Sequence, residues 1–71
     1  MTITLTWADF KKAITYQGHQ VMFVKSPADG VTKVAVICGL RGQYVYVLTN
    51  PPSKNNFLTE YPNALEVNDL N

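Results

Sequence analysis

The chain has 71 residues, 46% of them hydrophobic and only 15% charged, with a net charge of +1. That composition describes one small globular domain and excludes a disordered or strongly polyanion-seeking chain. One cysteine and one histidine exclude an intrachain disulfide and the usual Cys/His zinc spacings.

Folds this small leave a narrow margin of stability and commonly lean on a disulfide, a metal or another subunit. With the first two supports missing, self-association is expected. No apolar run approaches the ~18–20 residues of a membrane span. Met1–Thr6 lacks the basic segment and apolar core of a signal peptide, so the cytoplasm is the expected compartment. The small net charge hides an asymmetry: residues 1–54 carry +4 and residues 55–71 carry −3. An acidic tail folded back on a basic body accounts for it.

Along the chain, a short strand over Ile3–Leu5 is followed by the clearest local signal, a helix at about residues 7–16. Thr6 caps it, Asp9 favours its positive end, and Trp7, Phe10 and Ile14 recur on one helical face. Gly18 fits the left-handed position that ends a helix. Strands then read as Gln20–Lys25, Val31–Cys38 and Gln43–Thr49. The connecting turns are Ser26-Pro27-Ala28-Asp29-Gly30, with positive φ expected at Gly30, and Gly39-Leu40-Arg41-Gly42. Asn50-Pro51-Pro52 stops the third strand, and Ser53–Asn56 reads as loop. Pro62 argues against a helix running through Tyr61, so an extended piece at 57–60 and a fourth strand at 64–68 are predicted. The expected fold is α+β: one N-terminal helix packed on a three- to four-stranded antiparallel meander.

Both faces of that sheet are apolar, which one helix cannot cover. Val45 and Val47 oppose Tyr44, Tyr46 and Leu48; Ala35 and Ile37 oppose Val34, Val36 and Cys38; Val21 and Phe23 oppose Met22 and Val24. The second face is closed by the C-terminal segment, by curling of the sheet, or by another chain. The last is favoured because tyrosine and methionine are enriched at interfaces. Met22, Val24, Val36, Tyr44, Tyr46 and Leu48 are the predicted interface.

Catalysis finds little footing. Cys38 lies within an apolar strand, as cysteines that act as small core residues do, and His19, just past the helix, reads as a surface or capping residue. Glu60, Glu66 and Asp69 crowd the tail without the spacing of an acid–base pair or a cation loop. Gly39-Leu40-Arg41-Gly42 has the letters of the loop with which KH domains clamp nucleic acid, but there it joins helices and here strands. Arg41, with Lys25 or Lys33, suits a small anionic ligand such as a nucleotide held where subunits meet. In its size and plainness the chain resembles small accessory proteins of phages and mobile elements. That resemblance implies inhibition of a host enzyme or sequestration of a signalling molecule. The expected function is therefore non-enzymatic binding of another macromolecule by a homo-oligomer, without cofactor, metal, membrane or nucleic acid. Capture of an anionic ligand and service as a subunit of a larger particle are the alternatives.

Overall fold

The computed structural model describes residues 2–14, 18–25, 30–39 and 42–70. Its elements are β1 (Thr2–Leu5), α1 (Trp7–Ala13), β2 (Gln20–Val24), β3 (Lys33–Ile37), β4 (Gln43–Leu48), α2 (Lys54–Glu60) and β5 (Leu65–Val67). The sheet has five strands in the order β1-β4-β3-β2-β5. The antiparallel meander β2-β3-β4 is its centre, and β1 and β5 add a parallel strand at either edge. The α+β class therefore holds, but the sheet is mixed rather than antiparallel and carries two helices rather than one.

α1 begins as its sequence dictates. Thr6 is extended (φ −75°, ψ 161°) and its Oγ1 accepts from the Asp9 N–H at 3.1 Å. The helix is shorter than the spacing suggests. Ile14 leaves helical geometry (φ −99°, ψ 76°), so Gly18, with φ +84°, belongs to a later turn and not to the helix end. Residues 15 and 16 of the expected helix lie outside the described residues.

The second helix corrects the predicted loop and extended piece. Ser53 caps α2 as Thr6 caps α1: its Oγ accepts from the Asn56 N–H at 3.2 Å, and its carbonyl accepts from the Phe57 N–H at 3.0 Å. Phe57, Leu58 and Tyr61 then turn toward the sheet. Pro62 follows the helix instead of interrupting it, a common place for proline just beyond a C-cap. Lys54 stands at the unfavourable positive end of α2, where Glu66 of β5 meets it at 2.6 Å. That pair is partly exposed and worth no more than about 1 kcal/mol, but it joins the acidic tail to the basic body.

Two of the expected turns need comment. Ser26–Asp29 lie outside the described residues, as do Leu40 and Arg41. Gly30 does not take the positive φ expected of it; it forms an antiparallel bridge with Ser53. Gly39 (φ +52°) and Gly42 (φ +88°) do adopt left-handed geometry, with the Cys38 N–H donating to the Gly42 carbonyl at 3.1 Å.

Both helices pack on one face of the sheet, where rings meet in series. Trp7 stacks on Phe10 (5.8 Å) and touches Phe57 (5.7 Å), Phe10 meets Tyr46 edge-on (5.2 Å), and Phe57 meets Phe23 edge-on (5.2 Å). Phe10 and Phe57, one from each helix, are wholly buried.

Phe57→Ala should cost about 3–5 kcal/mol, close to the whole stability of a chain this size, and Ser53→Ala about 1 kcal/mol; urea unfolding midpoints measure both. Burial raises the Tyr46 hydroxyl pKa first, with Cys38 and Tyr44 adding to it, and burial together with Glu60 raises that of Tyr61. A raised folded pKa favours the protonated native state, so this stability is present below the unfolded pKa of about 10 and is lost as pH climbs through the folded values. Melting temperature should accordingly fall in that alkaline range.

Candidate interaction surface

The register of β2 on β3 decides which side chains share a face. Val21 lies opposite Val36 and Phe23 opposite Val34, while Met22 lies opposite Ala35. β3 and β4 pair Val34 with Tyr46 and Val36 with Tyr44. One face thus carries Val21, Phe23, Val34, Val36, Tyr44, Tyr46 and Leu48, joined at the edge by Ile3 and Leu5, and both helices close it. The other carries Met22, Val24, Ala35, Ile37, Val45, Val47, Leu65 and Val67, with Thr2 and Thr4 on β1.

The six residues expected to form one interface are consequently divided. Val36, Tyr44, Tyr46 and Leu48 belong to the helix-covered face, where Val36 is wholly buried and Tyr46 is 8% exposed. Met22 and Val24 belong to the opposite face and are half-buried there. Shifting the pairing by one residue exchanges the faces of an entire strand, and the turn that sets this pairing does not announce its parity.

Among the described residues no helix covers the second face. The C-terminal tail leaves β5 and lays Leu70, 4% exposed, against Ala35 and Val45, with Met22, Val24 and Val67 around it. Around that plug Ile37 and Val47 stay half-buried, and Leu65, on the outermost strand, is 53% exposed. Leu65 is the one exposed large hydrophobic residue among the described residues. Polar groups surround this apolar centre: Gln20, Gln43, Thr2, Thr4 and Lys33 on the strands, and Asp69 on the tail. An apolar centre within a polar rim is the usual anatomy of a protein interface.

The polar candidates are scattered. Lys25 follows β2 and Lys33 begins β3, so both stand at one end of the sheet; Gly39 and Gly42 stand at the other, and Arg41 between them lies outside the described residues. Cys38 is half-buried against the aromatic core. His19 precedes β2 and, with Glu60, Tyr61 and Asn63, borders a shallow cleft of about 500 Å³ at the C-terminal end of α2. Glu66 is committed to Lys54. Among the described residues no three His, Cys, Asp or Glu side chains are grouped as a metal site would need, and no helix is long and apolar enough to cross a membrane.

Compared with protein-family models, with curated proteins and with solved structures, the chain matches none.

Removing the plug tests its part in the surface. Leu70→Ala should lower stability by about 2 kcal/mol or more and raise the fluorescence of a hydrophobic dye as Ala35 and Val45 open to solvent.

Proposed function

We propose that the protein is a non-enzymatic binding module that works self-associated, its helix-free sheet face packed against the same face of a second copy. The observation that carries this reading is the contrast between the two faces. Two helices and a continuous aromatic core shut one, whereas a single leucine covers the centre of the other and leaves Leu65 in water.

Charge favours a second copy as the occupant. Among the described residues the face presents one cation, Lys33, and the tail crossing it one anion, Asp69. A copy turned through a two-fold axis offers the complementary sign to each, and the rest of the surface is neutral, so nothing repels self-docking. The small size of the chain supplies the motive, since its own core hides only a limited share of its surface. Binding, rather than catalysis, also suits the placing of Cys38 against the aromatic core, apart from the cleft that His19 and Glu60 border.

Light scattering behind a sizing column, run at two concentrations, checks the proposal. The expected mass exceeds the 7.9 kDa of one chain and falls on dilution, and Leu65→Asp combined with Ile37→Asp lowers it while the melting transition persists. A monomer at both concentrations would contradict the reading.

A further inference from the structure

The open face alone gives a smaller contact than most stable partners share. Five strands at ~4.8 Å spacing and about five residues at ~3.3 Å rise give a footprint of roughly 400 Å². Stable interfaces hide about 800 Å² per partner. Joining two sheets edge to edge would double the continuous face.

The edges differ. β5 is three residues long, carries Glu66 and is followed by Asp69, and short, charged strands are the usual protection against pairing with another chain. β1, at four residues, is only one longer, but it carries no charge. From Thr2 to Thr6 there is no charge and no proline, and the register with β4 runs unbroken from Thr2 to Leu5. The Thr49 N–H donates to the Leu5 carbonyl at 3.0 Å, so the peptide groups of Leu5 and, two residues back, Ile3 aim inward at β4. Those of Thr2 and Thr4 aim outward, at the open edge.

We infer that β1 is a second contact between copies, in which two β1 strands pair antiparallel about a two-fold axis and fuse two sheets into one of ten strands. With Ile3 on the axis, Thr2 of each copy faces Thr4 of the other, and each such pair exchanges N–H···O=C bonds. Ile3 and Leu5, half-buried against the aromatic core, then meet the second copy on the helix side. Thr2 and Thr4 meet on the open side as threonine–threonine cross-strand pairs. The same axis sets the two α1 helices antiparallel to one another.

This seam stands on the edge and is independent of the face-to-face contact. Its axis is perpendicular to the sheet, whereas the face-to-face axis lies along it. Together the two generate a closed tetramer of dihedral symmetry, the commonest outcome after a simple dimer.

Thr4→Pro tests the seam with little harm to the monomer, because it removes an N–H that points outward on an edge strand. The expected masses are a tetramer for the unmodified chain, a dimer for Thr4→Pro, a dimer for Leu65→Asp/Ile37→Asp, and a monomer when all three changes are combined. Amide exchange on the unmodified protein needs no variant: the Thr4 N–H should exchange about a hundredfold or more slowly than an unpaired amide. An unchanged mass for Thr4→Pro, or an unprotected Thr4 amide, would overturn the seam. An unchanged mass for Leu65→Asp/Ile37→Asp, with a halved mass for Thr4→Pro, would instead overturn the face contact and leave the seam standing.

Discussion

Everything in this fold depends on the pairing of Val21 with Val36 and of Phe23 with Val34. That register gathers the large side chains of β2, β3 and β4 on one side, where Phe10 and Phe57 can reach them from above. It leaves Ala35 at the centre of the other side, flanked by Met22 and Val45. The asymmetry is therefore one of volume as well as of cover. The aromatic side demands helices to fill the space above it; the smaller-residue side can be closed by something flat, such as one leucine or another sheet. Sheets packed face to face stand about 10 Å apart, a gap that valine, alanine and leucine side chains fill.

The edge strands continue the same logic. β1 precedes α1 and β5 follows α2, and each adds a parallel strand outside the meander. Together they widen a three-stranded sheet to five without adding a helix to the second face. The widening exposes Leu65 at one side and the uncharged peptide groups of β1 at the other. A protein with only 15% charged residues has few means of guarding such surfaces. Association satisfies them and supplies stability that a core this size provides only sparingly.

How much of this was legible depends on which signals are local. The meander, the Thr6 cap and the aromatic face of α1 follow from alternation, capping chemistry and helical spacing, and the sequence displays all three. So does the chief puzzle, a sheet apolar on both sides. α2 was legible too: Ser53 three residues before Asn56, then Phe57, Leu58 and Tyr61 at helical spacing, carry the same signature as Thr6 and α1. Pro62 outweighed it in the reading, although a proline after the helix costs nothing. Two features were beyond local signals. Whether Met22 or Phe23 faces the helices turns on the register in which β2 meets β3, and the parallel placement of β1 and β5 depends on contacts between residues far apart in the chain. The division of the expected interface residues follows from the first of these. Leu65 and Leu70, which define the open surface, carry no local signal of their role, since the tail's charge and short apolar alternation do not say what its leucines touch.

Solvent accessibility measured methyl by methyl tests the central claim most directly. A soluble paramagnetic probe broadens the NMR signals of exposed methyl groups, and the spectra can be taken at low and at high protein concentration. Burial of the open face in a contact between copies predicts that Leu65, Ile37, Val47 and Met22 become protected at the higher concentration while the Thr59 methyl, on the exposed side of α2, does not. Equal broadening of Leu65 at both concentrations, in samples shown to be monomeric, would contradict it.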